Sequence, residues 1–228
     1  MFDAHAHLSV LPSDSLGVKN WLIPGVHPSR DHTSDALLKD PRVHHAAGLH
    51  PWHVPVDAEA LDELLGQLEC IAAKDHVVAI GETGLDRVRR DVPMTHQRRA
   101  FDAQIQLAKE LRLPLVIHCV RAHGACLEHL REAGFKGRGM VHDFAGPVEM
   151  IGPWIKAGFM LSVSPRGLRN PEVLRAIPDE SLLVETDDEG VEVLPILVKQ
   201  LSSIRGADPK KLAANCSANT WKLLALSD

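Results

Sequence analysis

Short runs of consecutive apolar residues alternate along this chain with longer segments whose apolar positions recur every three or four residues. The runs lie at roughly 2–7, 21–26, 45–50, 77–82, 114–119, 139–143, 158–163 and 182–186. Consecutive rather than alternating apolar positions are the signature of a parallel strand covered on both faces, so the pattern predicts eight such strands. Between them, 57–74 places Leu61, Leu64, Leu65, Leu68 and Ile71 at helical spacing, and 95–112 does the same with Phe101, Ile105, Ala108 and Leu111. Pro114 and Gly134 follow predicted helices where the chain must turn back. Eight strands joined by mostly helical crossovers predict a TIM (β/α)8 barrel of the α/β class, with a connection after the first strand, around Leu11 to Asn20, too short for a full helix. A doubly wound open sheet is the alternative, but no GxGxxG or GxxxxGK[ST] loop follows any strand.

Composition narrows the class. The 228 residues contain no low-complexity stretch or linker, which suits a single domain over 1–228. A net charge of -5 argues against a chain that coats nucleic acid by bulk charge, so any such contact must be local. Tyr is absent and aromatics amount to 4%, too few for serial base stacking across a sheet. Four cysteines without a CxxC pair indicate neither a zinc ribbon nor a disulfide scaffold, and no apolar run is long enough to span a membrane. A cytoplasmic setting without a membrane partner is expected; oligomeric state is left open. Fourteen histidines, several embedded in apolar stretches, raise the question of metal.

The polar residues at the strand ends answer it. His5 and His7 close the first run two residues apart, on one side of an extended chain. Glu82 ends the fourth run, His118 the fifth, His142 the sixth and Asp187 the eighth. Each alone reads as a hydrogen-bonded residue where strand meets loop. In a barrel, however, the C-terminal strand ends converge on one mouth, and six N/O ligands exceed what one ion needs. The set divides into two sites sharing one acid. His50, Arg121 and Arg166 are candidate substrate contacts near the same strand ends, with Arg169 beyond them, because a guanidinium pairs well with phosphate oxygens. Cys119 should point away from His118 in a regular strand, into the core.

The ordered series Phe-Asp-Ala-His-Ala-His at 2–7, Gly48-Leu49-His50-Pro51, Ala79-Ile80-Gly81-Glu82-Thr83-Gly84-Leu85-Asp86, Pro114-Leu115-Val116-Ile117-His118, Val141-His142-Asp143-Phe144-Ala145-Gly146 and Leu183-Val184-Glu185-Thr186-Asp187 resembles the TatD family of metal-dependent hydrolases over nearly the whole chain. The Gln-x-x-x-Phe-x-x-Gln-x-x-x-Ala pattern beginning at Gln97 belongs to the same resemblance. It implies a phosphodiester hydrolase, a DNase acting on single strands or ends with two divalent ions (Zn, Mn or Mg). On that analogy His5, His7, Glu82 and Asp187 surround one ion and Glu82, His118 and His142 the other, with Asp187 and Glu82 catalytic. The chain departs from the family where Arg87 and Val88 replace the aromatics after Gly-Leu-Asp, and where Asp188-Glu189-Gly190 replaces a proline-rich loop. Both departures affect the substrate surface. A small ester, lactone or amide is the alternative substrate, and a noncatalytic metal-dependent partner protein the alternative of another class.

Overall fold

The structure is a computed structural model that describes residues 1–12, 17–29 and 34–226. Its strands are β1 (Phe2–Asp3), β2 (Asn20–Ile23), β3 (Val43–Ala47), β4 (Val77–Asp86), β5 (Leu115–Val120), β6 (Gly139–Val141), β7 (Phe159–Val163) and β8 (Leu182–Val184). Its helices are α1 (Asp35–Lys39), α2 (Ala58–Ala72), α3 (Met94–Leu111), α4 (His123–Glu132), α5 (Ile151–Lys156), α6 (Pro171–Ala176), α7 (Leu194–Arg205) and α8 (Pro209–Leu224). The strands make one eight-stranded sheet in chain order, the (β/α)8 barrel that the periodicity predicts. No helix separates β1 from β2 among the described residues, in line with the short first connection. No helix among them is long and apolar enough to cross a membrane.

The chain divides into two compact units, Met1–Ile23 with Thr33–His44 and Val141–Asp228, and Pro24–His32 with His45–Met140. In the first, β1 pairs in parallel with β2 through Phe2↔Asn20 and Asp3↔Trp21, and β7 pairs with β8. The chain's start also meets β8: the Ala4 N–H donates to Val184 O at 3.0 Å and the Asp187 N–H to His5 O at 2.9 Å. Asp3 fastens that seam, accepting from the Thr186 hydroxyl at 2.7 Å and the Thr186 N–H at 3.0 Å. Asn219 of α8 donates to Leu182 O at 2.9 Å, which fixes the start of β8.

In the second unit β4 pairs in parallel with both β3 and β5. β4 runs four residues beyond Glu82, and Gly84 lies opposite His118. At φ 134°, a side chain at Gly84 would be strained and its Cβ would strike the His118 carbonyl, so the close approach requires glycine. The long helices are built from local signals. Asp57 caps α2 by accepting from the Ala60 N–H at 2.8 Å, and α3 ends at Arg112 in the left-handed region just before Pro114. α3 buries Phe101 and Ile105, and truncating Phe101 to alanine costs about 3–5 kcal/mol.

The glutamines of α3 explain the family-like pattern. Gln104 Oε1 accepts from the Leu49 N–H at 2.8 Å while its amide donates to Leu49 O at 3.0 Å. Gln97 does the same for Asp86, accepting from its N–H at 2.8 Å and donating to its carbonyl at 3.1 Å. Both glutamines are buried, so each double bond satisfies an amide and fixes a backbone next to the candidate site.

Candidate metal centres

In the first unit, two groups of side chains bring potential ligand atoms within 4.8 Å of one another: His5, His7 and Asp187, and His5, His142 and Glu185. Asp187 Oδ1 is 3.7 Å from both His5 Nε2 and His7 Nε2. The other Asp187 oxygen is taken by Arg166, whose Nε also lies 3.4 Å from Asp143 Oδ2. Asp143 and Asp187 follow β6 and β8 at φ 40° and 56°, a backbone that aspartate tolerates better than most residues. The bends take both carboxylates off the strand register.

Glu185, absent from the sequence-derived ligand set, belongs to the second of these groups. Its Oε1 accepts from the Asp143 N–H at 2.6 Å and faces His142 Nδ1 at 3.6 Å. Burial pushes this carboxyl up, but the His142 hydrogen bond and the charges of His142 and His5 outweigh it and hold it below the usual range. A buried carboxylate therefore needs positive charge from its surroundings. The His5 and His142 rings are stacked at 4.3 Å and 9°, an arrangement in which two imidazolium rings would repel. One divalent cation against neutral rings meets the same charge without that repulsion, so the donor set fits a metal.

The second unit holds the third group, His50, Glu82 and His118, all buried. His50 Nδ1 accepts from the Trp52 N–H at 3.1 Å. A neutral His50 ring therefore carries its proton on Nε2, which donates to Glu82 Oε1 at 3.2 Å. This makes His50 a holder of Glu82. His118 is turned the opposite way. Its Nε2 meets Asp86 Oδ2 at 3.3 Å, leaving Nδ1 at 3.3 Å from the same Glu82 oxygen.

Asp86 fixes that tautomer. Its Oδ2 also accepts from Trp52 Nε1 at 2.7 Å, and its Oδ1 from the N–H groups of Val88 at 2.7 Å and Arg89 at 3.2 Å. Burial works against its charge, but the hydrogen bonds from His118, Trp52 and the two amides hold its carboxyl well below the usual range. An ionised Asp86 accepts only, so Nε2 of His118 carries a proton, and in the neutral ring the Nδ1 lone pair then points at a carboxylate oxygen. Two acceptors at that distance call for a proton or a cation, and a divalent metal fits the chemistry of the pair.

The structure thus places His5, His7, His142 and Asp187 in the clusters of one unit and Glu82, His118 and His50 in the cluster of the other. Arg121 directly follows β5, exposed and at φ 52°. Arg166 is exposed, but its guanidinium is engaged by Asp143 and Asp187. Cys119 is buried as expected, with Sγ 3.7 Å from Cys126 Sγ and 3.3 Å from His123 Nδ1. Sequence reasoning missed three contributors. Glu185 carried a signal as the first acid directly after the apolar run of β8. Asp86 carried a signal in its place after Gly-Leu. Trp52 carried none.

Known proteins resemble this chain over most of its length. The family model described as TatD related DNase matches residues 2–225. A 3'-5' ssDNA/RNA exonuclease TatD from Erwinia billingiae is 31% identical over 92% of this chain and 89% of that protein. An uncharacterized metal-dependent hydrolase, YjjV of Escherichia coli, is 30% identical over 82% of this chain and 74% of its own length. The crystal structure of E. coli YjjV superposes with a TM-score of 0.87 at 24% identity, covering 99% of this chain and 98% of that one. With its strand-end histidines and acids gathered as described, the chain belongs to the TatD related DNase family.

Proposed function

We propose that this chain is a divalent-metal-dependent hydrolase of phosphodiester bonds in single-stranded DNA or RNA. The observation that carries the reading is the His118–Glu82 pair, two acceptors held 3.3 Å apart by a tautomer that Asp86 enforces. Family membership and the exonuclease name of the Erwinia relative support the substrate class. Glu82 and His118 would hold metal in one unit, and His5, His7, His142, Asp187 and Glu185 in the other. A divalent cation there supplies Lewis-acid polarisation of a phosphoryl oxygen and makes water a better nucleophile at neutral pH. Nitrogen-rich ligation favours Zn or Mn over Mg.

The chain's own residues supply the remaining steps. His50 orients Glu82 through its Nε2–H, and Asp86 orients His118. Asp187 orients a water and takes its proton at a carboxylate oxygen, with Arg166 balancing the carboxylate's charge. Arg166 can also turn toward a phosphate, because a guanidinium has donors for both partners. Arg121 stands at the end of β5 as a second phosphate contact.

The test is metal-reconstituted protein on end-labelled single-stranded DNA and RNA beside a panel of small esters and lactones, with Glu82→Gln in parallel. Metal-dependent cleavage of the strands, lost by more than about 100-fold in Glu82→Gln, is the expected result; such a loss exceeds the range for outer partners of a ligand. Efficient turnover of a small ester with no metal-dependent strand cleavage would transfer the assignment to the amidohydrolase-like alternative.

A further inference from the structure

Within the second unit, Trp52 combines exposure with rigid anchoring. It is 42% exposed, while its Nε1–H is fixed on Asp86 at 2.7 Å. The ring stands nearly perpendicular to those of His50 and His118, with centroids 4.9 Å and 5.7 Å away, so it packs against the candidate metal cluster. The residues after β4 stand beside it. The Arg89 guanidinium lies over the indole, 4.9 Å from the ring centroid, and Arg87, Val88, Arg89 and Arg90 are all exposed. Three arginines in four residues make a local basic patch in a chain whose net charge is -5.

This loop is held in shape. Asp86 accepts from the Val88 and Arg89 amides, and Gln97 donates to Val92 O at 3.1 Å. A surface tryptophan alone means little. An ordered tryptophan with an arginine on its face, a basic loop at its side and a candidate metal cluster at its edge has the chemistry of a single-strand binding surface, in which bases stack on aromatic rings and cations follow the backbone. The competing contacts of Arg89 are weak. Its partner Asp91, at 3.0 Å, is more exposed than Arg89 itself, and an exposed ion pair of this kind yields readily to a phosphate.

We infer that Trp52 is a base-stacking platform and that Arg87, Arg89 and Arg90 hold the adjoining phosphates, so that one nucleotide of a single strand is seated beside the His50–Glu82–His118 cluster. This deepens the nuclease reading and rests on it. The ligand is a nucleobase carried on a phosphodiester chain, and stacking implies little preference among bases because each presents a π face. The expectation from composition, that aromatics are too few for recognition by stacking, holds for a serial platform and not for a single seat.

Binding of a fluorescent, hydrolysis-resistant phosphorothioate oligothymidylate to the metal-loaded protein, followed by anisotropy across a salt series, tests the inference. A matched series of oligonucleotides carries one abasic position moved along the strand. Trp52→Ala should weaken binding of the intact strand by about fivefold to a hundredfold, and by much less for the oligonucleotide whose missing base is the stacked one. Trp52→Phe keeps an aromatic face but cannot donate to Asp86, so it should bind the intact strand nearly as well as the parent. Arg89→Gln should lower the salt dependence by about 0.7 of a counterion per charge removed. Equal weakening by Trp52→Ala and Trp52→Phe would make Trp52 an anchor for Asp86 and overturn the platform, as would equal loss on every oligonucleotide of the abasic series. If the parent binds and cleaves strands while Trp52→Ala binds them normally, only the platform falls. If the parent binds none, the nuclease reading falls with it.

Discussion

The two units answer the same electrostatic problem, a buried carboxylate among histidines, in different ways. In the first, Glu185 is buried against His142, and His142 stacks on His5, so the positive charge that the carboxylate needs must come from the rings or from a cation. In the second, Glu82 is flanked by one imidazole that donates to it and one whose lone pair is turned toward it by a second, ionised carboxylate. The first cluster is thus organised by charge and the second by tautomer. A charge-organised site tolerates a neutral substitution structurally while losing its ligand; a tautomer-organised site can be disabled through a residue that touches no ligand atom.

Glu185→Gln should therefore produce the largest divergence between fold and function. Hydrolysis and metal retention are expected to fall by more than about 100-fold, beyond the loss typical of an outer partner. The metal-free variant gives up a charge that its surroundings favour but keeps an oxygen for the Asp143 N–H, so at neutral pH it should melt only slightly below the metal-free parent. Calorimetry of the two metal-free proteins decides the point, since a large drop in Tm would make Glu185 a structural anion and erase the contrast.

Asp86→Asn should have an intermediate effect on the other cluster. Metal affinity is expected to fall by roughly 10- to 100-fold, the usual cost of losing a ligand's outer partner. Two-bond 1H–15N NMR correlations of metal-free protein would read the tautomer of His118 directly. A proton that stays on Nε2 in the variant would show that Asp86 does not set it.

The smallest expected effect lies at Asp3. Burial outweighs the hydrogen bonds from Thr186 and raises its carboxyl from 3.8 to about 7. The folded protein therefore holds this proton more tightly than the unfolded chain, and the contribution of Asp3 to stability falls as pH rises from about 4 to about 7. Asp3→Asn has no such proton to lose. The difference in Tm between pH 5 and pH 8 should shrink in the metal-free variant, and an unchanged difference would place the titrating group elsewhere.

Much of this was legible in the sequence, for definite reasons. All eight strands were readable because strands covered on both faces are written as apolar runs, and His5, His7, Glu82, His118, His142 and Asp187 were readable because each ends such a run. Legibility failed where the backbone departs from its ideal repeat. β4 continues to Asp86 because Gly84 admits the His118 carbonyl, so a carboxylate that sequence places in a loop stands at a strand end. Asp187 takes a left-handed backbone, which obscures its pairing with Glu185 as residues two apart. Arg166 reads as a loop charge, and only three-dimensional placement shows that Asp143 and Asp187 claim it. Trp52 escaped because composition counts aromatics and cannot say which of them is exposed.

The seam between β1 and β8 also has a consequence for synthesis. Asp3 and Thr186 are 183 residues apart, so the cluster of the first unit cannot assemble until the ribosome has delivered the residues through Asp187. Closing so long a loop is slow to reward, because its entropy must be spent before the contact returns anything. The partners His50, Glu82 and His118 emerge much earlier and close together in time. A nascent chain can therefore form one cluster while the histidines near its start still await Glu185 and Asp187.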